Sequence, residues 1–215
     1  AVTDTYDPGS TFKILTASMA LEEKAITVDS TFYCPGYRMV EGWPQPIKCW
    51  YYPRAHGSQN LYQAIQNSCN PAFIDIGQAV GAKTFLEYYK AFGLDEPTGI
   101  DLPGEGESIF HSEEQFLSNK VDLATASFGQ NFQISPLQLI TAVSAVANGG
   151  NLMKPYIVKE ILDSDGNIVE STEPTVVRQV ISEETSELMC DILETVVSEC
   201  TGKNADRKST RQNSS

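Results

Sequence analysis

A serine and a lysine stand three positions apart near the start of the chain. Ser10 and Lys13 lie in residues 6–13, YDPGSTFK. On a helix, residues three apart face the same side, so the hydroxyl and the amine can meet. A serine hydroxyl is a weak nucleophile and needs an adjacent base, and a lysine whose pKa is lowered by burial can be that base. The pair therefore predicts a nucleophilic serine, although such a pair also occurs on ordinary helix surfaces.

A second hydroxyl and an amide follow 58 residues after Ser10, at Ser68 and Asn70. A hydroxyl near a nucleophile can pass a proton to a leaving amine. The amide of Asn70 can hold a substrate carbonyl or the amine of Lys13. The alternative is that Asn70 only caps the next helix, with Pro71 at the first helical position.

The first helix must position Ser10 and Lys13. Asp7 suits its N-cap and Pro8 its first helical position, and apolar residues at helical spacing continue to about Glu23. At such a helix start, outward N–H groups and the helix dipole favour a developing oxyanion.

The remaining pattern predicts many helices and few strands. Proline, glycine and tryptophan in residues 27–60 indicate irregular surface rather than regular structure. A capping box of Ser135 and Gln138 opens the best-bounded helix, and Ser182 opens the last one. Further helices are expected at about 61–67, 70–81, 85–93 and 115–126, and a hairpin at 155–162 and 167–170. The expected fold class is α+β, helix-rich with an incomplete antiparallel sheet.

Composition bounds the classes of function. The chain has 215 residues, 41% hydrophobic and 20% charged, which suits one domain with a sizeable core. Its net charge of −13 argues against nucleic acid as a partner. Residues 206–215, DRKSTRQNSS, contain no apolar side chain and resemble a non-native tail, so the domain is expected to cover 1–205.

Cysteine usage leaves two alternatives open. There are five cysteines, and Cys34 and Cys49 share one loop-rich stretch. They either form a disulfide, which suits an exported protein, or remain two free thiols. Zinc would need further ligands at proper spacing, and His56 alone does not supply them.

Four motifs in fixed order carry a family resemblance. They are DPGSTFK, QNSCNPAF, TGIDLPGE and SFGQ, and together they resemble the transpeptidase domain of class B penicillin-binding proteins across residues 1–205. Cys34, Cys49, Trp50 and the His56-Gly57 pair look most like the stage V sporulation protein D branch. The resemblance implies a penicillin-binding protein/serine β-lactamase-like transpeptidase fold.

The resemblance also implies an activity and its residues. Ser10 would attack the D-Ala-D-Ala carbonyl of a peptidoglycan stem peptide, with Lys13 as base, and β-lactams would acylate the same serine. Ser68 would relay a proton and Asn70 would position Lys13 or the substrate. No cofactor or metal is implied. The parent would work with a glycosyltransferase on the extracytoplasmic face of the bacterial membrane, anchored by an upstream segment.

One family motif is missing. No Lys-Thr-Gly occurs; residues 201–203 hold these letters in another order, and Cys200 stands where the family has glycine. The strand that carries this motif would follow shortly after Ala205. The chain is therefore expected to be a fragment that is inactive alone.

Three other functions fit parts of the pattern. A serine β-lactamase needs a group that activates water, and residues 114–119, EQFLSN, exceed its Glu-x-x-Leu-Asn turn by one residue. A penicillin-sensing receptor would be acylated without turning over. A scaffold in a division or sporulation complex would not need Ser10, Lys13, Ser68 and Asn70 together.

Overall fold

The computed structural model describes residues 2–199, which form eight helices and eight short strands. The helices are α1 (Lys13–Glu22), α2 (Leu61–Gln66), α3 (Asn70–Val80), α4 (Ala82–Ala91), α5 (Glu113–Ser118), α6 (Lys120–Ala126), α7 (Pro136–Ala147) and α8 (Glu183–Glu199). The strands are β1 (Thr31–Cys34), β2 (Tyr37–Arg38), β3 (Ile47–Lys48), β4 (Gly57–Asn60), β5 (Asn151–Met153), β6 (Glu160–Leu162), β7 (Ile168–Ser171) and β8 (Val176–Gln179).

Helix α1 is the centre of the packing. It packs against α3, α4, α7 and α8, and residues 15–20 are fully buried. A helix that is buried around its whole circumference must be mostly apolar or small, as its sequence KILTASMALE is. The hydroxyl of Thr16 donates to the carbonyl of Ser127 at 2.9 Å, so even the polar side chains of α1 have internal partners.

The helices lie largely where they were expected, except that one expected helix is divided into two. In α7, Ser135 accepts from the N–H of Gln138, and the Gln138 side chain accepts in return, which confirms the capping box. The helix expected at 115–126 is two helices, α5 and α6. Asn119 separates them, because its side chain accepts the N–H of Val121 and caps α6.

Two expected N-caps are wrong. The first helix begins as a 3-10 turn, Gly9–Phe12, whose N-cap is Pro8 rather than Asp7, with no side-chain cap. The N-cap of α3 is Cys69, and Asn70 already belongs to the helix. The side chain of Asn70 is thereby available for another partner.

The expectation of irregular structure in 27–60 is also wrong. This segment forms two antiparallel pairs, β1 with β4 and β2 with β3. Two further antiparallel pairs, β5 with β8 and β6 with β7, complete the strands of the described residues, and β6–β7 is the expected hairpin. The α+β, helix-rich class with small antiparallel sheets is confirmed.

Several sequence expectations fall outside the described residues. These are the tail at 206–215, Cys200, Ala205 and residues 201–203. Within residues 2–199, no helix has both the length and the apolar character needed to cross a membrane.

Candidate active site

Lys13 is the hub of a hydrogen-bonded group of four side chains. Its amine lies 3.1 Å from the Oγ of Ser10, 2.9 Å from the Oγ of Ser68 and 2.7 Å from the Oδ1 of Asn70. It also donates to the backbone carbonyl of Ser68 at 2.8 Å. Helix α1 supplies the lysine, the 3-10 turn before it supplies Ser10, and the turn between α2 and α3 supplies the other two. The structure thus brings all four predicted site residues together.

The surroundings of Lys13 favour its neutral form. Burial lowers the pKa of Lys13 from 10.5 to about 8, partly opposed by Cys69 and Cys49, and the residue is only 4% exposed. Of its four oxygen neighbours, the carbonyl of Ser68 and the Oδ1 of Asn70 can only accept. A neutral amine can donate its two hydrogens to these oxygens, which leaves its lone pair to accept the proton of Ser10.

Ser68 adopts an unusual backbone conformation at this point. Its φ is +46°, a left-handed conformation that a residue with a Cβ rarely adopts. This conformation lets one residue present both its carbonyl and its hydroxyl to Lys13. Backbone strain of this kind is retained where the surrounding structure needs the geometry, and it clusters at functional sites.

Ser10 is exposed while its lysine partner is buried. A backbone hydrogen bond holds the turn that carries Ser10, because the N–H of Gly9 donates to the carbonyl of Gly129 at 2.8 Å. Gly129 has a φ of +83°, and a Cβ at this position would lie 2.0 Å from the carbonyl oxygen of Gly9. The SFGQ motif therefore needs glycine at 129 for close backbone approach. Because the N–H of Gly9 donates to Gly129, the N–H of Ser10 is the group of this first turn that can stabilise an oxyanion.

The exposed side of Ser10 opens into a cleft of about 480 Å³. Its lining residues are Gly9, Ser10, Trp50, Gln66, Asn67, Ser68, Asn70, Phe128 and Gln130. The indole N–H of Trp50 donates to the carbonyl of Asn67 at 2.7 Å, which ties the wall of the cleft to the α2–α3 turn. Trp50 and Gln130 could not be predicted as cleft residues from the sequence, because neither has a spacing to Ser10 or Lys13 that indicates chemistry.

The cysteines show the free-thiol alternative. Cys34 and Cys49 are both buried and are not bonded to each other. Cys69 and His56 lie beside them, and the four ligand atoms are all within 4.8 Å of one another. Cys69 was not predicted as a neighbour of this pair, because no local spacing links it to Cys34 and Cys49.

The candidate water-activating segment of a β-lactamase lies elsewhere. Residues 113–118 form α5, where Glu114 is exposed, and Asn119 caps α6. Neither Glu114 nor Asn119 lines the cleft.

The fold and the site define a class of protein, and comparison with known proteins gives the same class. The family described as the penicillin binding protein transpeptidase domain matches residues 1–213. The chain belongs to this family.

Individual relatives agree with this assignment. The chain is 43% identical over 206 residues to stage V sporulation protein D of Bacillus subtilis, covering 95% of this chain and 31% of the relative. It is 27% identical to a peptidoglycan D,D-transpeptidase FtsI homolog of Mesostigma viride, covering 94% of this chain and 37% of the relative. The chain thus spans about a third of the length of these relatives.

Solved structures share the fold. The D,D-transpeptidase domain of a peptidoglycan glycosyltransferase from Eggerthella lenta superposes with a TM-score of 0.87 at 29% identity, over 96% of this chain and 52% of that one. Penicillin-binding protein A of M. tuberculosis, solved as an imipenem acyl-enzyme complex, superposes with a TM-score of 0.84 at 25% identity, over 96% of this chain and 47% of that one. The predicted transpeptidase fold and its resemblance to the stage V sporulation protein D branch are confirmed.

Proposed function

We propose that this domain catalyses D,D-transpeptidation of peptidoglycan stem peptides through an acyl-enzyme on Ser10. One observation carries the proposal: the buried amine of Lys13 reaches Ser10, Ser68 and Asn70 simultaneously, beside an open cleft. The names of the relatives, which include peptidoglycan D,D-transpeptidases, support the choice of substrate.

The first half-reaction forms an ester on Ser10. Neutral Lys13 takes the proton of Ser10, and the Oγ attacks the carbonyl of the penultimate D-Ala. The tetrahedral oxyanion is stabilised by the N–H of Ser10 in the first turn. Ser68 passes the proton from Lys13 to the departing amine, the peptide bond breaks, and the terminal D-Ala leaves.

The second half-reaction runs the same proton path backwards. An amine of a neighbouring stem peptide attacks the ester and gives a proton through Ser68 to Lys13. The cross-linking amide forms as the Ser10 oxygen leaves and takes a proton from Lys13. Asn70 positions Lys13 during both half-reactions, because its Oδ1 accepts the shortest hydrogen bond that the amine of Lys13 donates. A β-lactam enters the first half-reaction as a substrate mimic, and its opened ring stays on Ser10.

The partners and the location follow from this activity. Stem peptides occur outside the cytoplasmic membrane, so we propose an extracytoplasmic location for the domain, held at the membrane by another part of the protein. A glycosyltransferase that makes the glycan strands is the corresponding partner.

The experiment measures D-Ala release from a D-Ala-D-Ala pentapeptide by the full-length gene product. Ser10→Ala is expected to abolish release, whereas Thr11→Ala, an exposed neighbour outside the cleft lining, is expected to retain it. Release that survives Ser10→Ala would overturn the proposal. That the 215-residue chain alone releases no D-Ala, because its sequence has no Lys-Thr-Gly motif, stays a prediction that the same assay checks.

The alternatives give different results in that assay. A penicillin-sensing receptor would be acylated by a β-lactam but would release no D-Ala. A serine β-lactamase would hydrolyse nitrocefin with turnover, and the position of Glu114 away from the cleft lining disfavours it.

A further inference from the structure

A buried carboxylate contacts the residue that directly follows the SFGQ motif. Asp122 lies in the first turn of α6 and is only 4% exposed. A carboxylate that is removed from water needs hydrogen-bond donors or cations in compensation. Among residues 2–199, its one ionisable partner is His111, whose Nδ1 lies 3.6 Å from the Oδ2 of Asp122. Amide donors therefore supply the rest of the compensation.

The two oxygens of Asp122 bind different parts of the chain. The Oδ2 accepts a hydrogen bond from the Nε2 of Gln115 on α5, at 3.0 Å. The Oδ1 accepts from the Nδ2 of Asn131, at 3.2 Å. A hydrogen bond to an ionised acceptor is roughly twice as strong as one between neutral groups. The bond to Asn131 therefore joins the buried carboxylate firmly to the end of the SFGQ segment.

Residues 129–131 have an unusual backbone that this bond stabilises. Gly129 and Asn131 both have positive φ values, of +83° and +70°. Asparagine is one of the few residues with a Cβ that adopts this left-handed conformation readily. Between them, the N–H of Gln130 donates to the carbonyl of Thr125 in α6 at 3.1 Å. The Asn131 side chain thus adds a second kind of attachment between this segment and α6, at the start of the helix.

The same segment supports the nucleophile. The carbonyl of Gly129 accepts the N–H of Gly9 at 2.8 Å, and Gly9 directly precedes Ser10. Gln130 lines the cleft beside Ser10. A movement of Asn131 therefore reaches Ser10 through its two neighbours in the chain and one hydrogen bond. Misplacing a reacting group by about 1 Å can cost on the order of 10²-fold in rate.

We propose that Asp122 is a positioning residue for Ser10. Its carboxylate holds Asn131, and Asn131 fixes residues 129–130 against the turn that carries the nucleophile. Asp122 is not among the residues that line the cleft, so it acts on the reaction only through this segment. The inference rests on the proposed acylation of Ser10 and adds to it a residue from outside the cleft.

The first test removes the hydrogen bond without disturbing the backbone. Glycine adopts positive φ values freely, so Asn131→Gly deletes the side chain and keeps the conformation. In the full-length gene product, we expect Asn131→Gly to be acylated by a β-lactam at least about 10-fold more slowly. The matched control is Asp163→Asn, because Asp163 accepts from the Nδ2 of Asn167 at 3.0 Å in the exposed β6–β7 hairpin. This control should retain the unmutated rate of acylation.

The second test exchanges the two groups. Asp122→Asn replaces one accepting oxygen with a donor, and Asn131→Asp places a second carboxylate next to the first. Each single variant should be acylated at least about 10-fold more slowly. The double variant Asp122→Asn/Asn131→Asp again pairs one amide with one carboxylate. It should regain the unmutated rate to within about 3-fold, since residues in one hydrogen-bonded pair are energetically coupled.

Hydrogen exchange of the Gly9 amide gives a readout that needs no reaction. If Asp122 positions this turn, Asn131→Gly should speed exchange of the Gly9 N–H by at least about 10-fold and leave the amides of α1 unchanged. A residue with a merely structural role would lower the stability of the whole domain and speed exchange throughout α1. Residue-resolved exchange of the unmutated protein and the variants separates these two cases.

The outcomes distinguish this inference from the proposed function. Acylation of Asn131→Gly within about 2-fold of the unmutated rate would overturn the inference and leave the proposed function intact. A double variant no faster than its slower single variant would do the same. If the unmutated protein is not acylated on Ser10, the proposed function fails. The Gly9 exchange then decides the inference, and an unchanged rate in Asn131→Gly would overturn it.

Discussion

At the scale of single residues, the proposed acylation of Ser10 depends on the charge of Lys13. A buried amine loses the solvation of its charged form, and this lowers its pKa to about 8. The unfolded chain has an ordinary lysine at 10.5. Between these two values the unfolded state binds more protons than the folded state, so this group makes the free energy of unfolding rise with pH across the window.

This sign gives a testable prediction. From pH 8 to pH 10.5, the free energy of unfolding of the unmutated chain should rise relative to Lys13→Met by on the order of 2 kcal/mol. Urea denaturation at several pH values measures the difference. Lys83→Met, on an exposed face of α4, is the control for loss of a positive charge and should follow the unmutated curve. A constant offset between the unmutated chain and Lys13→Met would mean that the folded pKa is not lowered.

At the scale of elements, the turn that carries Ser10 depends on close backbone approach. Gly9 and Gly129 are joined by a hydrogen bond, and the space between the two chains does not admit a Cβ at 129. Residues 127–130 therefore support the nucleophile, and Phe128 and Gln130 also line its cleft.

Two glycine-to-alanine substitutions distinguish the cost of steric crowding from the cost of a left-handed backbone conformation. Gly129 and Gly166 have nearly the same φ, +83° and +85°, but a Cβ at 166 meets nothing within 4 Å. Gly166→Ala should cost about 1 kcal/mol, the penalty of the left-handed conformation. Gly129→Ala should cost at least about 2 kcal/mol more, because the backbone at Gly9 must move. Urea denaturation measures both, and equal losses would contradict the contact.

At the same scale, motifs whose partners are close in the sequence were predictable, whereas side chains with two equally good roles were not. The capping box of α7 was predictable because Ser135 and Gln138 form it between themselves. Asn70 was ambiguous because an asparagine before a proline suits an N-cap equally well, and only the fold shows that its side chain contacts Lys13.

Contacts between residues far apart in the chain could not be predicted from the sequence. The pairing of β1 with β4 joins residues more than 20 positions apart, and its turn-rich connection looked irregular. The same pairing brings Cys34 towards His56, while Cys69 arrives from the α2–α3 turn. No local spacing signals that these residues meet.

At the scale of the whole molecule, stability should be unevenly distributed. Helix α1 is buried on all sides, whereas Ile161, Leu162, Ile168 and Val169 of the β6–β7 hairpin are all exposed. Segments with few buried contacts open locally, while a central helix opens only with the whole domain.

Hydrogen exchange followed by mass spectrometry tests this distribution. Amides of α1 and α3 should exchange most slowly, and amides of residues 160–171 at least about 10³-fold faster. Met19→Ala, which removes a fully buried side chain of α1, should speed exchange in α1 and leave the hairpin unchanged. Uniform protection across both regions would contradict the central position of α1.

The most direct test of the proposed mechanism identifies the residue that carries the acyl group. The full-length gene product is incubated with a β-lactam, digested, and its peptides are sequenced by mass spectrometry. We predict one adduct, on Ser10, that disappears in Ser10→Ala and forms at least about 10³-fold more slowly in Lys13→Met. An adduct on Ser68, or one that persists in Ser10→Ala, would contradict it.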